Sequence, residues 1–258
     1  MPRMDEDTWK HFTITPIDWY SPDYRVDSFF HYVSDFMRSN ASITRKVYNL
    51  EEIIEGYRAT IGASSATFKM FTKERYFILK ATLEPTGDYY EVSWEVDKVK
   101  QWIRERQLQP IQLPVMQLIQ SKQRVNRREV RSLKEPFEPI IALDYPPMNR
   151  LVVLDGNYRL AKRYLENPCA QIEVFRLRVE DHLPLMTDEL CRTLFKVHHN
   201  LITLCHYMAE GGDQRLFFGD SDSKQDLGNL YPIQGAPVPK VKDSLWQRLF
   251  FLFKKMTK

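Results

Sequence analysis

Four consecutive apolar residues, Leu151-Val152-Val153-Leu154, run straight into Asp155-Gly156. No polar residue interrupts the run, so it fits a short strand covered on both faces. Asp-Gly is a turn signal that ends it. Beyond the turn, Leu160 and Tyr164, and likewise Ala161 and Leu165, sit four apart on one face of a helix. Asn167-Pro168 stops that helix, because Asn tolerates the left-handed conformation and Pro cannot continue the hydrogen-bond ladder. The order is therefore strand, tight turn, helix N-terminus, with Arg159 in the first turn and Lys162 and Arg163 one turn on.

A helix N-terminus presents unpaired backbone N–H groups and the positive end of the helix dipole. Gly156 allows a phosphate close to the backbone, and Arg159 can add a bidentate charged contact. The same residues fit a plainer arrangement, in which Asp155 or Asn157 caps the helix and the arginines are solvated. The local pattern leaves both open.

The surroundings of the turn carry a resemblance. Ile111-Gln112-Leu113-Pro114-Val115-Met116-Gln117-Leu118-Ile119, then Gln123-Arg124, a short basic helix, Pro139-Ile140-Ile141-Ala142-Leu143 and Asp155-Gly156-Asn157-Tyr158-Arg159 follow one another in that order. Over residues 109–180 this resembles the ParB/sulfiredoxin family, which has a proline-containing first strand, a second hydrophobic strand, and a D-G-x-x-R box before a helix. The resemblance implies a ParB/sulfiredoxin-like domain over 109–182, flanked by an N-terminal α+β unit (1–108) and a helical C-terminal extension (183–258), α+β overall. It implies a nucleotide or other phosphate-bearing ligand at Gly156, Asn157, Tyr158 and Arg159, in a regulatory or interaction role, and the basic clustering between Lys98 and Lys134 adds Arg124 as a further contact. Relatives of this kind include sulfiredoxins, free-serine kinases and partition proteins that bind cytidine triphosphate. Sulfiredoxins need a cysteine where Asn157 stands, which argues against sulfinic acid reduction. Kinases of the family have histidine where Tyr158 stands and a glutamate base after the first strand, and no carboxylate lies around Ser121-Lys122-Gln123. An ATP-dependent small-molecule kinase or a nucleotide hydrolase, using a nucleoside triphosphate with magnesium, would need Glu138, Asp144 or Asp155 as a substitute.

From Lys98 to Lys134 ten Lys or Arg are opposed only by Glu105 and Glu129, a local charge of +8 against −5 for the rest of the chain. Such clustering suits a nucleotide or a nucleic-acid backbone, and DNA contact through Lys122 to Lys134 is a third expectation. The paired short helices of a helix-turn-helix are not visible after residue 183. Asn126 is placed to cap a short helix with Val130, Leu133 and Phe137 on its inner side.

Elsewhere the periodicity predicts helices from Val26 to about Asn40 and from Leu50 to about Ile61. Strands are predicted over 67–71, 76–83 and 89–94, and a helix capped by Asp97 follows. Ile172 to Val179 alternates as a half-exposed strand. In 188–210, Leu190, Leu194, Val197, Leu201, Leu204 and Met208 are spaced like the seam of a helix packed on another helix. Cys191, His198 and Cys205 lie seven apart beside it, about 10.5 Å per step, too far to converge on one metal, so no metal site is expected.

Residues 211–243 read as a long loop. The stretch Leu245 to Phe253 is apolar enough to dock on the body, to meet a protein partner or to touch a membrane surface weakly. No secretory leader and no 18-residue apolar run is present, and three cysteines are few for a secreted scaffold, so a cytoplasmic location is expected.

Overall fold

A computed structural model describes residues 18–20, 22–39, 45–66, 69–71, 76–84, 86–119, 130, 138–209 and 227–241. Arg124, the Lys122–Lys134 stretch apart from the buried Val130, the Asn126 cap and the Leu245–Phe253 tail lie outside them.

The fold is mixed α+β. Strands β1 (Asp18–Tyr20) and β2 (Tyr24–Arg25) precede helices α1 (Asp27–Ser39) and α2 (Leu50–Ala63). Then come β3 (Lys69–Phe71), β4 (Tyr76–Leu83), β5 (Asp88–Glu95) and helix α3 (Val96–Glu105). The next elements are β6 (Ile111–Pro114), β7 (Ile140–Tyr145), β8 (Arg150–Asp155), helix α4 (Asn157–Glu166) and β9 (Gln171–Leu177). A single-turn helix α5 (Val179–His182) leads to α6 (Glu189–Met208). β1 pairs with β3, an antiparallel sheet runs β2-β5-β4, and a mixed sheet runs β6-β9-β7-β8 with β7 parallel to β9.

The mixed sheet separates two cores, and side-chain alternation decides which residue serves which. Ile140 and Ala142 of β7, Val153 of β8, and Ile172 and Val174 of β9 face the smaller core, which Val115, Leu118 and Leu160 of α4 complete. Ile141, Leu143 and Tyr145, Val152 and Leu154, and Leu177 face the larger one. The uninterrupted apolar run 151–154 is thus explained: its neighbours alternate between two dry layers. The larger core also takes Phe29 and Phe30 of α1, Ile53 and Ile54 of α2, Tyr90 and Trp94 of β5, and the length of α6, so it draws on all three segments of the chain.

Three local expectations are corrected. Asp97 does not cap α3. Strand β5 passes into the helix without a loop, Glu95 is the N-cap residue, and Asp97 lies inside the first turn. Asn167 ends α4 in an extended conformation (φ −156°), not a left-handed one. Its side chain accepts the Cys169 N–H at 3.0 Å, a local turn bond that competes with the helix. Finally, α6 is more than a helix–helix seam. It packs on α1 and α2, and also on β5 and the turn at Pro146–Met148, so fifteen of its twenty residues are buried. Cys191, His198 and Cys205 are all inside, with burial pushing both thiols up to about 12.

Among the described residues no helix is long and apolar enough to cross a membrane.

Candidate functional site

The β8–α4 turn is built from its glycine outward. Gly156 adopts φ +97°, a conformation that costs a side chain about 1–2 kcal/mol. A Cβ there would lie 2.9 Å from the Cβ of Ile140, so glycine is also required by close packing against β7. Gly156 is the N-cap residue of α4, and the helix therefore starts without a side-chain cap.

Arg159, in the first turn, is held from several sides. Its NH1 donates to the carbonyl oxygens of Glu138 (2.8 Å) and Pro139 (3.3 Å), and NH2 donates to Asp155 Oδ2 at 3.1 Å. The Glu138 carboxylate stands 3.7 Å away but is itself 88% exposed, so it is a loose partner. Lys100 Nζ reaches the same Asp155 Oδ2 at 2.9 Å from α3. Two cations thus converge on one carboxylate oxygen. Lys100 and Asp155 remain partly exposed, at 39% and 29%, whereas Arg159 is only 15% exposed. The Tyr158 side chain is exposed beside them.

Of the residues singled out in the sequence, Glu138, Asp155, Gly156 and Arg159 meet at this turn, with Asn157 and Tyr158 opening the helix. Asp144 does not join them. It sits toward the other end of β7, opposite Leu151, and makes a two-pronged bond to Arg176 (2.7 and 3.1 Å). Lys100 was counted in the sequence only within the basic run. Its place beside Asp155, 55 residues away, is set by tertiary packing, for which no local signal exists. Among the described residues no group of three or more His, Cys, Asp or Glu is gathered to hold a metal ion.

The arrangement offers an anion two cations, a helix start and an exposed phenol, but it already contains a carboxylate. An added anion would have to take Lys100 from Asp155. Arg159 is less free to turn, because two of its bonds secure the entry to β7.

Comparison with known proteins adds nothing to this geometry. No family model matches the chain, and neither a curated protein nor a solved structure is significantly similar to it.

Proposed function

We propose that this chain is a ParB/sulfiredoxin-like protein that binds a nucleotide, or another phosphate-bearing ligand, at the β8–α4 turn in a regulatory or interaction role. The observation that carries the reading is the convergence of Lys100 and Arg159 on one oxygen of Asp155, beside a helix start with no side-chain cap. A phosphate oxygen is a natural competitor for the position of that carboxylate oxygen, since both accept from the same donors. Lys100 is the more exposed member of the pair, and Arg159 is the one tied by several bonds. The order of apolar strand, Asp-Gly turn and Arg-bearing helix supports the resemblance on which the ligand class rests.

The test is a thermal-shift panel with ATP, CTP, GTP and their diphosphates, with and without magnesium. It is run on the wild type, Lys100→Ala and Tyr158→Phe. Arg159→Ala is a poor probe, because it also removes two bonds to backbone carbonyls. A ligand at a hundred times its Kd stabilises by about 2.7 kcal/mol, enough to raise Tm visibly. A rise with one nucleotide that Lys100→Ala abolishes is the expected result. No rise with any of them sinks the proposal.

A further inference from the structure

A cleft separate from the β8–α4 turn lies where α2 and α6 run beside the segment 227–241. Among the described residues it is bounded by these three pieces, and its volume is about 670 Å³. Ligand sites typically enclose about 300–1,000 Å³. We infer that it is a binding site for a small organic monoanion, a carboxylate carried on an apolar body.

The cleft exists because α2 shows it only small side chains. Gly56 is in contact with the segment 227–241: a Cβ there would lie 2.7 Å from the Cα of Ala236. One and two turns further on, Ala59 and Ala63 leave the space open. The facing wall is an arch tied down on both sides. Asn200 grips the backbone of Tyr231, with Oδ1 accepting its N–H and Nδ2 donating to its carbonyl, both at 2.8 Å. Asn49 does the same further on, donating to the Val238 carbonyl at 3.0 Å and accepting the Lys240 N–H at 2.7 Å. Between these anchors the chain reverses at Gly235 (φ +83°), and Thr60 Oγ1 donates to the Gln234 carbonyl at 2.8 Å. The wall is preformed, so a ligand need not order it.

The charges are on α6. Arg192 and Lys196 line the cleft one turn apart, a spacing that sets their Cβ atoms about 5–6 Å from each other. Arg192 is fixed by donating from NH1 to the Met186 carbonyl at 3.0 Å. Glu189 lies on the same face and reduces the lining's formal charge to +1. That balance suits a singly charged carboxylate better than a phosphate dianion. Ser64, at the end of α2, donates across to the almost wholly buried Thr193 of α6 at 3.0 Å, and both hydroxyls line the cleft. Pro232 and Ile233 supply an apolar wall for the body of the ligand.

The probes are octanoate and 1-naphthoate, each against its neutral primary amide, with inorganic phosphate as a further anion. Binding to the full chain is measured by calorimetry and by Tm. Lys196→Glu is the test variant, because among the described residues no hydrogen bond or ion pair of the fold depends on Lys196, and its ligand-free Tm should stay at the wild-type value. Lys46→Glu, an exposed position outside the cleft, controls for net charge. Lys100→Ala should leave this site untouched, which separates it from the β8–α4 turn. The expected result is that a carboxylate binds at least tenfold more tightly than its amide and than phosphate. Lys196→Glu should weaken it at least tenfold while Lys46→Glu does not. Failure of both carboxylates to bind, equal binding of acid and amide, or equal weakening by the two lysine variants would each overturn the inference.

Discussion

Gly156 shows how a residue can be noticed in the sequence for an incomplete reason. In the sequence it marks a turn where a phosphate could approach the backbone. In the structure its missing side chain makes room for Ile140, sixteen positions upstream on the paired strand, as well as allowing φ +97°. Arg159 likewise reads as a solvated or ligand-facing cation, yet much of its hydrogen bonding goes to carbonyls about twenty residues away. Neither partnership leaves a trace near the turn itself. Gly156→Ala should therefore be costly in two separable ways. The left-handed backbone contributes about 1–2 kcal/mol and the clash with Ile140 about 1–3 kcal/mol. In urea unfolding, Ile140→Ala in the Gly156→Ala background should recover the steric share, seen as coupling in a double-mutant cycle. Strictly additive losses would show that Ile140 is not what excludes a side chain.

At the scale of elements, periodicity located most helices and strands, because a 3.6- or 2-residue repeat is a local property of the chain. Their ends were less legible, since end groups are often satisfied from far away. Helix α1 follows Val26, whose side chain cannot accept a bond. Its N-terminus is capped instead by Asp88, from the start of β5. Asp88 is buried, accepts the Phe29 N–H at 2.8 Å, and also accepts Arg25 Nε at 3.0 Å. In the sequence Asp88 is only a residue between the predicted strands 76–83 and 89–94. The segment 227–241 has the same character: its composition says loop, and nothing in it announces the two asparagines that fasten it. Asp88→Ala should cost about 2 kcal/mol, at the upper end for a lost cap because the N–H is left buried. Hydrogen exchange should quicken first in the opening turn of α1. If protection there is unchanged, the Asp88 contact is not holding that end.

The whole molecule is organised around α6, and its interior contains a polar chain that no single element foretold. The seven-residue spacing of Cys191, His198 and Cys205 puts them beside the apolar seam of α6, but it could not say what His198 meets. Tyr145 and Tyr90 hydroxyls are 2.8 Å apart, and the Tyr90 hydroxyl is 2.8 Å from His198 Nδ1. Three elements, β7, β5 and α6, are joined end to end in this way. Burial raises the pKa of both tyrosines, so they are neutral hydroxyls, each able to donate or accept along this chain. Burial accordingly pushes His198 down to about 3, and it lowers His182, His199 and His206 as well. For a histidine, a folded pKa below the unfolded 6.5 means that the unfolded chain takes up the proton first as the pH falls. The stability contributed by a neutral His198 is therefore complete above pH 6.5 and is lost progressively down to about pH 3. From His198 alone the loss on going from pH 7 to pH 5 should be about 2 kcal/mol. His198→Gln keeps an acceptor within reach of Tyr90 but cannot titrate. It should be less stable than the wild type at pH 7, and the gap should narrow by about 2 kcal/mol at pH 5 in paired urea unfolding curves. Carboxylates that titrate in the same range act on both proteins and cancel from the comparison. A gap that stays constant with pH would mean that His198 is not held neutral in the fold.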